Sequence, residues 1–266
     1  IHKYLRSGVM VNGMFVCSEE GTPQGGPLSP LLSNVMLNEL DKELDRRGLP
    51  FVRYADDSMI FCRSKRAAER VRESITKFIE QKLHLKVNKE KTVVSYVRGV
   101  KYLGYSFYIN KGKCQLTVHP KTKAKMRRRL KELTGRSNGM GYAARKEKLR
   151  LYIMGWVNYY HLAEMKRLTA ETDELLRHRL RMCIWKSCKL PKARIKNLIK
   201  CGIPKQNAQR WGYAKGYWRV AGSPIMHTAA SNVNLRKAGY ICFSDEYAKW
   251  LPKRGTAVCG TARTVV

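Results

Sequence analysis

The sequence predicts an α+β domain followed by an all-α domain, with the division near residue 118. Two pairs of strand-like segments support the first part. FVRY and SMIFC flank Asp56-Asp57, and YLGYSFYI and CQLTV flank Asn110-Lys111-Gly112, a turn sequence typical of hairpins. Beyond His119 only helical periodicity remains, which favours a helical domain. We therefore expect domains at 1–118 and 119–250, and a disordered tail without apolar periodicity at 251–266.

The first half begins with helix-like sequence and a loop, and then alternates helices and strands. The Gly- and Pro-rich segment 21–30 is a loop, and Ser29 before Pro30 is typical of an N-cap followed by the first helical residue. The helix that follows ends near Gly48. Ser64 is expected to cap a second helix, and TVVSYV at 92–97 has strand character. The inward-facing residues of the two helices are Leu32, Met36, Leu40 and Leu44, and then Ala68, Val71, Ile75 and Ile79.

The second half predicts three basic helices. The first carries an apolar stripe of Met126, Leu130 and Leu133. The second covers KEKLRLYIMGWVNYYHL. The third covers TDELLRHRLRMCIWKSC, with Thr172 or Asp173 as its N-cap.

Charge identifies the class of partner. The 266 residues include 53 Lys and Arg against 20 Asp and Glu, a formal net charge of +33. Such a surplus repels itself unless a polyanion neutralises it, so nucleic acid is the expected partner. No apolar run approaches the length of a membrane span, and we expect no membrane partner.

The eight cysteines do not suggest a metal site. None form a CxxC pair, and most lie within apolar patterns, which is typical of free thiols in a reducing compartment. His178, Cys183, Cys188 and Cys201 are spaced too loosely along helical sequence to favour a zinc site. We expect a cytoplasmic protein, in the bacterial cytosol or nucleoid.

The dipeptide Asp56-Asp57 is the candidate catalytic feature. An Asp-Asp turn between strands is commonly only a solvated turn, because Asp tolerates such backbones. Apolar flanking strands would nevertheless hold this turn rigidly, and paired carboxylates suit hard divalent cations. Because the basic surplus implies phosphates nearby, a metal site for phosphoryl transfer is the competing hypothesis.

Several segments in a fixed order resemble the group II intron-encoded reverse transcriptases and maturases. The resemblance covers roughly residues 1–245 and implies a right-hand-polymerase palm followed by an all-α thumb/maturase domain. The palm segments are GTPQGGPLSPLLSN, FVRYADDSMIF, LKVNKEKT and VKYLGYSF, and the maturase segments are YIMGWVNYY, LRHRLRMCIWK and GYWRVAGSPIMHTAASN.

The resemblance assigns roles to individual residues. Asp56 and Asp57 match the catalytic carboxylates that bind two Mg²⁺ ions. Tyr54 and Ala55 match positions beneath the primer end and incoming nucleotide, and Leu103 and Gly104 match the primer grip. The remaining substrate-binding matches are Gln24, Gly25 and Gly26, in the loop against nucleotide and template, and Lys91, near the leaving pyrophosphate.

The family's third metal-binding carboxylate comes from a strand that we expect upstream of Ile1, together with the fingers. Asp41 and Asp45 are expected to face solvent and not to replace it. We therefore expect this chain alone to polymerise poorly. The implied partners are group II intron RNA, an RNA template with a DNA primer, and deoxynucleoside triphosphates.

The second half is expected to contact RNA. Arg127, Arg128 and Arg129 are candidates for phosphate contacts, and Trp211 and Trp218, which adjoin glycines and charges, for stacking on bases. Trp156 and Trp185 lie in apolar helix patterns and are expected in the core. The alternative function is an RNA-binding splicing factor without polymerase activity. A retron-type reverse transcriptase is disfavoured by the long segment after residue 120.

Overall fold

The structure, a computed structural model, describes residues 8–11, 13–16, 28–110, 112–251 and 264–265. The chain divides into two compact units, Ile1–Tyr102 with Gly260–Val266, and Leu103–Cys259. The strands are β1 (Val9–Val11), β2 (Met14–Val16), β3 (Phe51–Tyr54), β4 (Asp57–Cys62), β5 (Tyr105–Asn110), β6 (Lys113–Val118) and β7 (Thr264–Val265). The helices are α1 (Ser29–Arg46), α2 (Lys65–Lys82), α3 (Pro120–Leu133), α4 (Tyr142–Tyr160), α5 (Lys166–Ser187), α6 (Pro191–Lys200), α7 (Lys205–Gly212), α8 (Tyr217–Ala221), α9 (Pro224–Ala229), α10 (Asn232–Lys237) and α11 (Phe243–Ala248).

The first unit packs α1 and α2 against antiparallel strands, which confirms the α+β class. β3 pairs with β4, which also pairs with β7, and β1 pairs separately with β2. Burying apolar side chains between these elements stabilises the fold, by about 1.5–3 kcal/mol for each large residue. The buried cluster consists of Leu40, Leu44, Ile60, Cys62, Ala68, Ile75 and Leu83.

The helix signals in this unit were partly correct. Ser64 caps α2 as predicted, since its Oγ accepts a hydrogen bond from the Ala67 N–H at 3.2 Å. The prediction for Ser29 was wrong, because α1 begins at Ser29 and Leu28 takes the N-cap position without a side-chain bond. Met36 is exposed rather than buried, whereas its neighbour Leu37 packs against the core, so the buried side of α1 passes through Leu37 and not Met36.

The predicted strand at 92–97 is absent from the described structure. This stretch carries one bridge position at Ser95 and ends in a 3₁₀ turn, Val97–Gly99. Its side chains have strand propensity, but a strand also needs a neighbour for its backbone hydrogen bonds. Propensity without a partner strand gave the wrong prediction here.

The second unit joins the β5–β6 hairpin to helices α3–α11. The hairpin register places Asn110 opposite Lys113, which confirms the predicted turn, although Lys111 itself lies outside the described residues. Val118 from β6 belongs to the same buried cluster as the helical residues Met126, Leu130 and Leu133. The hairpin therefore groups with the helices, whereas the sequence placed it in the preceding domain. As a domain boundary, residue 118 stays a prediction.

The start of the third predicted helix was wrong. α5 begins at Lys166, so Thr172 and Asp173 lie inside it, and both are buried. The Thr172 hydroxyl donates to the Leu168 carbonyl at 2.6 Å, within the helix's own turn. A helix that continues through two cap-forming residues shows that packing overrides local preference here.

Other predictions concern the core, the cysteines and the tail. Trp156 and Trp185 are buried, as predicted. The described cysteines are free thiols, and the described helices include none with the length and apolarity to cross a membrane. In the predicted tail, Thr264 and Val265 form β7, while residues 252–263 lie outside the described residues, so their predicted disorder stays a prediction.

The Asp173 carboxylate, 1% exposed, generates a stability prediction. It accepts the Phe243 N–H at 2.7 Å and the Ser244 N–H at 2.9 Å, and so caps α11 from α5. Asp173→Ala removes both bonds and should lower the free energy of unfolding by about 3 kcal/mol, measured by urea denaturation. Asp173→Asn should lose less, because its amide oxygen still accepts one bond.

Asp245→Ala is the matched control for that measurement. Asp245 forms an exposed ion pair with Arg236 at 2.7 Å, and exposed pairs contribute below about 1 kcal/mol. Equal losses for Asp173→Ala and Asp245→Ala would contradict the capping role.

Candidate metal-binding hairpin and nucleic-acid interface

The β3–β4 hairpin presents Asp56 and Asp57 at its tip. Tyr54 pairs with Asp57, so Ala55 and Asp56 form a two-residue turn. Ala55 has φ +53°, and positive φ at the first central residue is the property of a type II′ turn, where glycine is usual. A non-glycine residue in this region costs about 1–2 kcal/mol, so the surrounding structure must hold the turn in place.

Both carboxylates are exposed and carry no ion pair. Among the described residues neither Asp56 nor Asp57 forms a hydrogen bond or salt bridge through its side chain, although the chain contains 53 Lys and Arg. Exposure alone is compatible with the solvated turn. A strained, anchored turn whose charges are kept free of the abundant cations favours the metal-binding hypothesis.

The anchor of the turn is Arg53, which the sequence analysis missed. Its guanidinium donates to Asp41 at 2.6 and 2.8 Å, to Asn34 at 3.0 Å and to the Ala55 carbonyl at 2.9 Å. The hydrogen bond with Asp41 raises the pKa of Arg53. The prediction that Asp41 faces solvent was therefore wrong, because Arg53 reaches from β3 to cover it, whereas Asp45 is exposed as predicted. The available signal was one charged residue between apolar neighbours in FVRY.

Tyr102 is a second residue near the hairpin that the analysis missed. Its hydroxyl oxygen is buried and has no hydrogen-bond partner among the described residues. Burial, and then the negative charge of Asp57, raise the pKa of Tyr102 above its ordinary value. The hydroxyl therefore stays protonated at neutral pH, and it is a buried donor that no described residue uses.

The donor chemistry at the tip fits a divalent cation. Mg²⁺ prefers oxygen ligands and commonly takes one or two carboxylates with waters and substrate phosphates, and Asp56 and Asp57 supply such carboxylates. Within the described ranges no group of three or more His, Cys, Asp or Glu side chains could hold a metal. The hairpin thus offers a partial ligand set that further oxygen donors would complete.

The other predicted substrate residues are not brought together by the described structure. Gln24, Gly25 and Gly26 lie outside the described residues. Tyr54 is adjacent to the turn and 65% exposed. Lys91 is exposed, and its ammonium group has no hydrogen bond or ion pair with a described residue.

The predicted primer-grip residues form a tight turn in the second unit. Leu103 and Gly104 have φ +49° and +82°. The Tyr159 hydroxyl donates to the Leu103 carbonyl at 3.1 Å, while the His119 N–H and the Thr122 hydroxyl donate to the Gly104 carbonyl at 3.1 and 3.0 Å. Both carbonyls are therefore held, by α4 and by the start of α3.

Aromatic packing reinforces that turn. Tyr105 lies 5.2 Å from Tyr160, centroid to centroid, and its hydroxyl donates to the Tyr159 carbonyl. Tyr160 also lies so close to Gly104 that a Cβ there would collide with its hydroxyl and meet its ring at 3.2 Å. Burial raises the pKa of Tyr160. Only glycine satisfies both the backbone angle and the space at position 104.

The predicted phosphate-contacting residues lie on the exposed surface of α3. Arg127 and Arg129 face Glu171 at 3.7 Å and Glu132 at 2.8 Å, whereas no described carboxylate pairs with Arg128. A shallow concave surface on this helix is rich in cations. It is lined by Pro120, Lys123, Ala124, Arg127, Arg128 and Lys131.

The two candidate stacking residues differ in exposure. Trp218 is 53% exposed, and its ring lies 3.9 Å from that of His178, centroid to centroid. Trp211 is half-buried and packs against the apolar core, so its expected exposure is only partial. Burial, and then the charge of Arg181, lower the pKa of His178, so a neutral ring supports Trp218 at neutral pH.

Two families match successive parts of the chain. Residues 1–107 match "Reverse transcriptase (RNA-dependent DNA polymerase)", and residues 123–202 match "Group II intron, maturase-specific domain". The first match contains the β3–β4 hairpin. The second contains most of α3 and the whole of α4 and α5.

The chain is also similar to several curated proteins, two of which carry names that agree with these families. The chain is 31% identical to Protein YkfC of Escherichia coli, with 39% of this chain and 36% of that protein covered. It is 26% identical to the group II intron-encoded protein LtrA of Lactococcus lactis, with 42% and 29% covered, and 32% identical to the retron Ec86 reverse transcriptase of Escherichia coli, with 30% and 26% covered. The matched part spans about a third or less of each relative's length.

The turn at Leu103 and Gly104 generates a prediction with an internal control. Gly104→Ala places a Cβ at φ +82° against Tyr160, whereas Gly112→Ala meets open space at φ +74°. Both variants should lose about 1–2 kcal/mol of unfolding free energy from the backbone. Gly104→Ala should lose at least about 1 kcal/mol more, since Tyr160 must move. Equal losses in urea denaturation would contradict the close packing at Gly104.

Proposed function

The chain belongs to the group II intron-encoded reverse transcriptases and maturases, and on that premise we propose that its protein copies RNA into DNA and binds intron RNA. The proposed reaction is RNA-templated addition of deoxynucleotides to a primer end, in the service of intron splicing and retrohoming. Group II intron RNA, an RNA template with a DNA primer, and deoxynucleoside triphosphates are the proposed partners.

One observation carries the proposal. In a chain with a formal net charge of +33, the adjacent carboxylates of Asp56 and Asp57 stand at a strained turn without an ion pair to any described residue. Such a pair attracts cations strongly, and a phosphate-bound divalent ion is the cation that a nucleic-acid enzyme brings. In support, the turn lies within residues 1–107, the part of the chain that matches the reverse transcriptase family.

Asp56 and Asp57 are the residues that would hold Mg²⁺. When bound there, divalent ions stabilise the attacking and leaving oxygens of phosphoryl transfer. The protein's own contribution is to fix the two carboxylates on a short turn between paired strands. Burial, and then the negative charge of Asp57, raise the pKa of the Tyr102 hydroxyl, which stays protonated and so adds no negative charge near the two carboxylates.

The other residues would bind and orient the substrates. Tyr54, exposed next to the turn, would support the primer end, and Ala55 would leave room for the nucleotide. The Gln24-Gly25-Gly26 loop would lie against nucleotide and template, and Lys91 would donate a proton to, or neutralise, the departing pyrophosphate. Leu103 and Gly104 would hold the primer strand.

The cationic surface of α3 supports RNA binding by the second unit. Lys123, Arg127 and Lys131 follow each other at four-residue spacing and so lie along one side of the helix. Arg128 and Arg129 extend the positive charge. The exposed Trp218 offers a ring face for an unpaired base, and Trp211 offers a smaller exposed area.

Asp56→Asn tests the polymerase. In the intact protein that carries this chain, the substitution should abolish detectable primer extension on an RNA template, because a neutral amide binds Mg²⁺ poorly. Intron RNA binding and splicing should persist, since the RNA-binding residues are unchanged. Asp45→Asn, an exposed carboxylate on α1, is the control and should extend primers normally.

Unchanged extension by Asp56→Asn would refute the assignment of the catalytic carboxylate. If the unsubstituted protein binds intron RNA but never extends a primer, the result would support a splicing factor without polymerase activity.

Salt dependence tests the RNA-binding surface. If about six to ten phosphates are contacted, affinity for intron RNA should fall by about 10³–10⁵ between 50 and 200 mM salt. Arg128→Gln should reduce the slope of log affinity against log salt by about 1. Arg167→Gln, whose side chain is 94% exposed on α5 and pairs with Glu171, should change the slope less. Affinity that does not vary with salt in a filter-binding titration would contradict this electrostatic interface.

A further inference from the structure

We propose that Arg53 is the positioning residue of the metal-binding hairpin, fixing the turn through the Ala55 carbonyl and so setting where the Asp56 and Asp57 carboxylates stand. The inference rests on the proposed function, because it takes those carboxylates as metal ligands. It goes further by assigning their geometry to a cluster of Arg53, Asp41 and Asn34, outside the turn itself.

All three nitrogen atoms of the Arg53 guanidinium donate hydrogen bonds. Nε and Nη2 donate to the two carboxylate oxygens of Asp41 at 2.8 and 2.6 Å, in the bidentate arrangement that fixes a planar fork most strongly. Nη1 donates to the Asn34 amide oxygen at 3.0 Å and to the Ala55 carbonyl at 2.9 Å. The guanidinium therefore joins two positions on α1 to the turn of the hairpin.

Burial separates this ion pair from ordinary surface pairs. The Arg53 and Asp41 side chains are 13% and 23% exposed, whereas those of Lys42 and Glu39, also on α1, are 65% and 56% exposed. A shielded bidentate pair is weakly screened and holds one geometry, while an exposed pair is easily replaced by water. Arg53 is thus a rigid point of reference for the strand that leads into the turn.

The bond to Ala55 acts at the position where the turn needs support. Ala55 occupies a left-handed backbone conformation that an alanine does not favour, and its carbonyl belongs to the same peptide plane as the Asp56 amide. Fixing that plane fixes the N and Cα atoms of Asp56, so the direction in which its side chain leaves the backbone can change only by rotation about the N–Cα bond. A residue that merely joined β3 to α1 would not need this bond.

Arg53→Lys is the test variant and Arg47→Lys its matched control. Lysine keeps the charge and one contact to Asp41, but a single ammonium cannot span Asp41, Asn34 and Ala55. Arg47 is also shielded, at 25% exposure, and pairs with a carboxylate of α1 away from the hairpin, Glu43 at 2.7 Å, with a further bond to the Ser74 hydroxyl at 2.7 Å. Asp41→Asn, which keeps the shape and removes the counter-charge, is a second variant in case Arg53→Lys does not fold.

The measurements use the intact protein and include two that do not depend on activity. Mn²⁺ binding is titrated by electron paramagnetic resonance, and amide hydrogen exchange is followed in a peptide covering residues 51–62. Primer extension is measured over a range of Mg²⁺ concentrations. Arg53→Lys and Asp41→Asn should weaken Mn²⁺ binding and raise the half-saturating Mg²⁺ concentration by roughly 10–100-fold, as loss of a group that orients metal ligands does. Exchange at the turn should accelerate.

Arg47→Lys should leave Mn²⁺ binding, Mg²⁺ requirement and exchange at the turn unchanged, even if it lowers the melting temperature as much as Arg53→Lys does. Equal Mn²⁺ binding and Mg²⁺ requirement for Arg53→Lys and Arg47→Lys would overturn the proposal and leave Arg53 as a link between strand and helix. That outcome differs from failure of the proposed function, in which Asp56→Asn itself retains Mn²⁺ binding and primer extension.

Discussion

The imbalance of charge is the constraint on which the rest of this structure depends. Carboxylates are scarce in this chain, and those that stabilise the fold lie where each accepts hydrogen bonds from several donors. Glu43 accepts hydrogen bonds from Arg46 and Arg47, which lower its pKa to about 2, Asp41 fixes Arg53, and Asp173 caps a helix from within another. Against that background it is informative that Asp56 and Asp57 have no cationic partner among the described residues, because cations are abundant in this chain and pairing would be favourable.

Several parts of the fold could be predicted because the signal was local. The Ser64 cap, the hairpin at Asn110 and Gly112, and the buried stripe of Met126, Leu130 and Leu133 each follow from residues close in sequence. The errors arose where residues far apart in sequence determine the secondary structure. Thr172 and Asp173 have the chemistry of helix caps, but Asp173 serves α11, which lies far ahead in the chain. Residues 92–97 have strand propensity but no partner strand among the described residues.

The candidate site likewise has parts that local sequence predicts and parts that only the folded structure brings together. Motifs predict roles for the acidic turn at Asp56-Asp57 and for the turn at Leu103 and Gly104, and the structure adds what holds each turn. Arg53 and Tyr102 lie within the palm segments, but the resemblance assigns neither a role, and their relation to the turn exists only once β3, α1 and the segment before β5 are folded. Tyr159 and Tyr160 likewise belong to a maturase segment, and their contact with Gly104 joins two segments that the sequence treats as unrelated.

Ala55 has a consequence for how such a polymerase could be improved in the laboratory. Glycine at position 55 would relieve the unfavourable backbone angle and so favour the folded state. It would also increase the conformational freedom of the unfolded chain and of the folded turn. Any gain in stability would therefore be accompanied by a loss of order at the two carboxylates. Larger side chains would combine the angular cost with obstruction of the nucleotide position that we propose above Ala55. Libraries aimed at thermostable variants would therefore do better to leave this position and its support by Arg53 unchanged, and to diversify residues away from the hairpin.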